Sequence, residues 1–198
     1  MSVSVAHRMK VHNWLKHIGL RGFRRLQFPY LLLTRSMSGL LLALNWWDII
    51  DEHFVVGGAL MFDDIERLRR QGVRAIVNLS AERPDNLPQL HAAQIDYLWL
   101  PVLDTRAPTV EQIQRGLAWI EQRVHAGQTV YIHCAAGRGR STTLLACWYI
   151  STHNMSVEQV VRFLKGRRPQ TSFTPWQLRR LGEFATLVQG PAGKLAAP

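Results

Sequence analysis

Apolar residues recur along this chain with two periods. Short β-branched runs mark strands, and steps of three and four mark helices. Phe54-Val55-Val56, stopped by Gly57-Gly58, reads as a strand. A short helix over 63–71 turns Ile65 and Leu68 inward and ends at Gly72. Residues 73–79 and 95–100 read as strands, while 80–88, broken by Pro84 and Pro88, and 101–108 read as loops. Thr109 opens the clearest helix. Gln112 completes a capping box, Val110, Ile113, Leu117, Ile120 and Val124 form one inward stripe, and Gly127 closes it. A buried strand over 129–133 and an apolar helix over 140–151 follow. Ser156 with Gln159 starts another helix, whose apolar set is Val157, Val160, Val161 and Leu164, and Thr174-Pro175 with Gln177 starts the last. Strands alternating with helices predict an α/β domain. No internal repeat is present.

The stretch before Trp46 breaks this pattern. Over residues 9–28, Val11, Trp14, Leu15 and Ile18 share a helical face surrounded by Lys10, Lys16, Arg21 and Arg24, as in an interfacial amphipathic helix. The apolar runs on either side of Arg35 are each too short to span a bilayer, and a joint span would bury that cation at a cost of about 2.5–3.5 kcal/mol. Charge sharpens the contrast. The chain has a net charge of +10, yet its first 47 residues contain no Asp or Glu. The expected layout is therefore a basic, apolar lead over 1–45, a catalytic domain over 46–189 and a flexible tail over 190–198. The lead predicts contact with an anionic membrane surface, or packing on the domain, rather than a cleaved secretory signal. It also resembles an organelle transit peptide. Nucleic acid is not an expected partner, because the lead has no recognisable nucleic-acid motif. The two cysteines are too far apart along a helix for a disulfide, which points to a reducing, cytoplasmic setting with membrane association.

The chemistry concentrates in His133-Cys134-Ala135-Ala136-Gly137-Arg138-Gly139-Arg140-Ser141. Cysteine, five residues and arginine between a strand and a helix form a loop that can close on one phosphate. Its glycines free backbone N–H groups to turn inward at a helix N-terminus. Cys134 supplies a nucleophile that works only as thiolate, and Arg140 supplies a bidentate clamp. Ser141 can donate to the sulfur or cap the helix. Ester cleavage also needs an acid for the leaving oxygen. Asp104, on the loop after a strand, is the first candidate; Asp85 and Asp96 are rivals. His133 reads as a hydrogen bonder that orients the loop. A Walker loop lacks its lysine here, His133 and Cys134 alone make no zinc site, and no second cysteine stands ready for redox exchange.

His133-Cys134-x5-Arg140-Ser141, with an acid some thirty residues upstream, resembles the signature of the protein tyrosine and dual-specificity phosphatases. Trp46-Trp47-Asp48-Ile49, Gly57-Gly58-Ala59-Leu60, Asn78-Leu79 and Ala136 through Thr143 are similar to the mitochondrial-type phosphatidylglycerophosphate phosphatase branch and its bacterial relatives. The resemblance implies a central, mostly parallel sheet of four to five strands flanked by helices. It implies that Cys134 forms a phosphocysteine, Arg140 binds the phosphoryl group, and Asp104 acts as acid and then base. Backbone N–H groups of Ala135, Ala136, Gly137, Arg138, Gly139 and Arg140 would hold the phosphate oxygens. No metal or cofactor is implied. The expected substrate is a phosphate monoester, favoured as a membrane phospholipid such as phosphatidylglycerophosphate. A phosphoprotein substrate and a catalytically silent phosphate-binding module are the alternatives. One departure stands inside the motif: lipid-phosphate members often have a lysine after the cysteine, where this chain has Ala135.

Overall fold

The computed structural model describes residues 45–190, together with Pro29, Leu32, Leu33, Arg35 and Ser36. The amphipathic stretch expected over 9–28 and the tail after Gly190 lie outside the described residues. Five strands form one sheet: β1 (Trp47–Ile49), β2 (Phe54–Gly57), β3 (Val73–Ser80), β4 (Asp96–Val102) and β5 (Thr129–His133), in the order β1-β2-β5-β3-β4. Only the β1–β2 pair is antiparallel. Helices α1 (Asp64–Arg70), α2 (Leu87–Ala92) and α3 (Val110–His125) connect the parallel strands. After β5 the chain runs through α4 (Arg140–His153), α5 (Val157–Arg167) and α6 (Pro175–Gln189).

The inner strands β2, β5 and β3 are buried on both faces, so consecutive residues serve different cores, whereas β4 at the edge alternates buried and exposed positions. Val56, Val77 and Ile132 join the larger core with α3, α4, α5 and α6. Their neighbours Val55, Ile76 and Tyr131 face the smaller core with Ile65 and Leu68 of α1 and Leu90 of α2. Helix α4 is apolar along most of its length because it is surrounded; every residue from Arg140 to Ile150 is buried. The predicted capping box forms at Thr109, and the predicted helix starts at Ser156 and Thr174 form capping boxes as well.

The sequence pattern missed two elements. Helix α2 has few inward apolar residues and contains Pro88, which reads as a breaker. That proline sits in the first turn, where its missing N–H costs nothing, and Asn86 caps the Gln89 N–H at 3.3 Å. Strand β1 is three residues long and is defined by its pairing with β2 rather than by any period of its own.

Strand β5 lies between β2 and β3, so the connections leaving it and its neighbours diverge at its C-terminal end. That is where a crevice opens in a parallel sheet. Truncating the centre of this frame gives a measurable loss. Ile132 has no exposed surface, and Ile132→Ala should cost about 2–5 kcal/mol through the cavity it leaves. Urea denaturation should show this as a lower midpoint with an unchanged slope.

Candidate active site

The loop between β5 and α4 has its carbonyls drawn outward, one after another. The Ala135 carbonyl accepts from Ala59 N–H at 3.0 Å, and the Arg138 carbonyl from Ser172 N–H at 2.9 Å. Arg168 Nε donates to the Gly137 carbonyl at 2.7 Å and its Nη2 to that of Ala136 at 3.3 Å. The Gly139 carbonyl accepts from the hydroxyls of Thr142 and Thr143, both at 2.8 Å. With the carbonyls held outside, the N–H groups turn to the Cys134 side, and those of Gly137 and Ser141 hydrogen-bond the sulfur. Gly137 is required here: its φ is +63°, and a Cβ would lie 2.2 Å from the Gly57 carbonyl oxygen.

Arg168, fully buried just past α5, is the anchor of this arrangement. Its guanidinium also pairs with Asp48 of β1 and reaches the Trp46 carbonyl at 3.4 Å. Nothing in the local sequence marks it, because its partners are loop carbonyls 31 and 32 positions away and groups of the β1 segment 120 and 122 positions away.

Cys134 is 3% exposed. Burial pushes its thiol pKa up, but the Arg140 charge and hydrogen bonds from Ser141 and Gly137 outweigh burial and bring it down to about 7. The Ser141 hydroxyl lies 3.6 Å from the sulfur. Helix α4 is capped by Gly139 with no side-chain cap bond, so of the two readings of Ser141 the structure leaves the contact with sulfur.

Arg140 is 2% exposed and held on three sides. Its Nη1 donates to both Glu82 oxygens, at 3.0 and 2.8 Å, and to the Val102 carbonyl at 2.8 Å. Its Nη2 lies 3.2 Å from Asp104 Oδ1. Burial works against the charge, but Cys134, Glu82 and Asp104 more than offset it, and the guanidinium pKa is held above its ordinary value. Glu82 was not singled out in the sequence. The available signal was its position just after β3, at the same end of the sheet as Cys134.

Asp104 thus reaches the site from the β4–α3 loop, and the rivals separate from it. Asp96 begins β4 at the opposite end and pairs with Arg123 at 3.2 Å. Asp85 lies behind the loop and accepts from His133 Nε2 at 2.8 Å and from Asn78 Nδ2 at 3.0 Å. Burial pulls the His133 pKa down, but the Asp85 carboxylate more than compensates and holds it above the usual imidazole value. The His133 Nδ1 donates to the Cys134 carbonyl at 3.2 Å. Thr105, next to Asp104, adopts a φ of +65°, which is strained for a β-branched residue. Its carbonyl is tied to Thr174 Oγ1 of the α6 N-terminus at 3.0 Å. Arg138 is half-buried within the loop and reaches solvent. No group of three or more potential metal ligands occurs among the described residues.

Together these groups can hold a tetrahedral oxyanion against a thiolate, with a carboxyl group beside the arginine that grips it. Alkylation of Cys134 by iodoacetamide should rise with pH to half its maximum near 7, where the thiolate forms. Ser141→Ala should move that midpoint upward. Glu82→Gln should loosen Arg140 and lower kcat/KM on an aryl phosphate by about 10-fold, while circular dichroism stays native.

The chain matches the dual specificity phosphatase catalytic domain over residues 62–186. It is 32% identical over 169 residues to phosphatidylglycerophosphate phosphatase PTPMT2 of Arabidopsis thaliana, covering 84% of this chain and 74% of that protein. It is 31% identical to phosphatidylglycerophosphatase and protein-tyrosine phosphatase 1 of Rattus norvegicus, covering 86% of this chain and 93% of the relative. Among solved structures, PTPMT1 in complex with PI(5)P is similar with a TM-score of 0.70 and 28% identity, over 75% of this chain and 99% of that one. With its loop, its sheet and these relatives in agreement, this chain belongs to the dual specificity phosphatase catalytic-domain family of cysteine-dependent phosphoric monoester hydrolases.

Proposed function

We propose that this protein hydrolyses a membrane phospholipid monoester such as phosphatidylglycerophosphate, through a phosphocysteine intermediate formed within residues 46–189. In the first step the Cys134 thiolate attacks phosphorus while the loop N–H groups of residues 135–140 and Arg140 hold the phosphoryl oxygens. The ester P–O bond breaks, and the leaving oxygen takes a proton from Asp104. In the second step water attacks the phosphocysteine, Asp104 accepts its proton, and the P–S bond breaks to return thiolate and inorganic phosphate. Ser141 steadies the departing sulfur by hydrogen bonding.

The observation that carries this reading is the convergence of Cys134, Arg140 and Asp104 at one site, with the carboxylate 3.2 Å from the arginine. The choice of a lipid rests on the names of the relatives from Arabidopsis thaliana and Rattus norvegicus. The second of those names also includes protein-tyrosine phosphatase activity, so phosphotyrosine and phosphothreonine peptides belong beside the lipid in any substrate panel. Ala135 removes a charge that would favour a more highly phosphorylated headgroup, which directs the reading toward a single terminal phosphate. Attraction of the basic lead over residues 1–45 to an anionic membrane is part of the same proposal. No helix among the described residues is long and apolar enough to cross a membrane.

Cys134→Ser should abolish turnover while leaving phosphate binding intact. Asp104→Asn should lower kcat by about 100-fold on alkyl esters, and by much less on p-nitrophenyl phosphate, whose leaving group needs no proton. Activity should persist in EDTA. Hydrolysis of phosphopeptides with no turnover of phosphatidylglycerophosphate would move the substrate to protein.

A further inference from the structure

We propose that the surface beside the Cys134 loop, the rim of the site, is itself a docking surface for an anionic lipid bilayer. Trp176 and Leu103 would enter the headgroup layer, and Arg106 and Arg179 would pair with its phosphates. This rests on the phospholipid reading above and names the surface that would present such a substrate.

Two segments build the rim. The first is the loop after β4, where Leu103 is 64% exposed directly beside Asp104. The second is the first turn of α6, where Trp176 is 51% exposed. A scattered exposed leucine or tryptophan is ordinary on a protein surface. Here, however, both stand where the acid-bearing loop meets the helix. The two segments are tied together: Thr174 Oγ1 donates to the Thr105 carbonyl at 3.0 Å, and Gln177 Nε2 donates to the Arg106 carbonyl at 3.0 Å. Gln177, itself 1% exposed, packs so closely on the phosphate loop that a Cβ on Gly139 would lie 2.7 Å from its Oε1. The rim is therefore fixed with respect to Cys134.

Its cations outnumber its carboxylates, with Glu111 and Glu183 bordering it only on the side of Arg180. The guanidinium carbons of Arg106 and Arg179 lie 5.1 and 5.0 Å from the Trp176 ring centroid. Across residues 101–109 and 170–181 the only carboxylate is Asp104, which faces Arg140. An indole with cations at its side suits a membrane interface, where an apolar body is wetted at one edge. Arginine is weakly hydrated and grips phosphate in a bidentate manner, so it suits anionic headgroups better than neutral ones. Seated this way, the pocket opens at headgroup height, and the substrate's acyl chains need not leave the bilayer.

The test uses the full chain as wild type, Trp176→Ala and Arg179→Glu, with Leu187→Ala at the far end of α6 as a control. Flotation is measured with phosphatidylcholine vesicles, with and without phosphatidylglycerol. Turnover is measured on phosphatidylglycerophosphate in those vesicles, on p-nitrophenyl phosphate and on a phosphotyrosine peptide in solution. Wild type should bind the anionic vesicles more tightly, and salt should weaken the binding. Both rim variants should lose about tenfold in vesicle binding and in vesicle turnover, yet stay within about twofold on p-nitrophenyl phosphate, which also shows that they fold. The control should match wild type. Vesicle binding and turnover unchanged in both rim variants would overturn the rim alone. Absence of wild-type vesicle binding, or loss confined to the phosphopeptide, would overturn it as well, the second in favour of a protein partner. Rim-dependent vesicle binding with no lipid turnover by wild type would keep the rim and sink the lipid-substrate reading.

Discussion

A loop that turns its N–H groups toward one anion must satisfy its carbonyls on the other side, and the rest of this structure is arranged around that constraint. Buried carbonyls left unpaired would cost about as much as the anion contact gains. The solution draws on distant parts of the chain. Ala59 follows β2, Ser172 lies between α5 and α6, and Thr142 and Thr143 belong to α4 itself. Arg168 contributes most, because one guanidinium serves two loop carbonyls and is neutralised by Asp48 from the sheet's edge. The β1–β2 hairpin and the α5–α6 connection are thus parts of the phosphate site, although neither would touch phosphate.

A second constraint is electrostatic. Cys134 is nearly inaccessible, and burial alone would keep it a thiol. Arg140 reverses that, but only if its own position is fixed. Glu82 takes Nη1 on both oxygens and leaves Nη2 on the side of Asp104. The guanidinium is therefore aimed by a carboxylate that belongs to β3's outgoing loop. His133 adds a further layer: Asp85 holds its Nε2, and its Nδ1 donates to the Cys134 carbonyl and fixes the residue where strand becomes loop.

The parts legible in the sequence share one property: their meaning is local. The capping boxes, the stripe on α3 and the cysteine-to-arginine spacing all depend on residues a few positions apart, and each formed as expected. Asp104 was legible as a position, a carboxylate on the loop after a strand, and the fold sets it beside Arg140 while placing Asp85 behind the loop and Asp96 at the far end of the sheet. Glu82, Arg168 and Gln177 were not legible. Their functions are set by partners 58, 31 and 71 positions away, respectively. No periodicity or turn rule encodes such a pairing, since it exists only once β5 lies between β2 and β3.

That division also bears on substrate choice. The loop can read no more than the terminal phosphate, because its backbone cradle is exhausted by one tetrahedral anion. Ala135 adds no charge, so discrimination between a lipid and a phosphoprotein falls to Arg138 at the loop's surface and to groups outside the loop. Those nearest the mouth are fixed by the same contacts that fix the catalytic frame: Thr174 on Thr105, and Gln177 on Arg106 and against Gly139. The Asp104 loop and the first turn of α6 consequently share one support, and the contacts that tie them also hold the carboxylate beside Arg140.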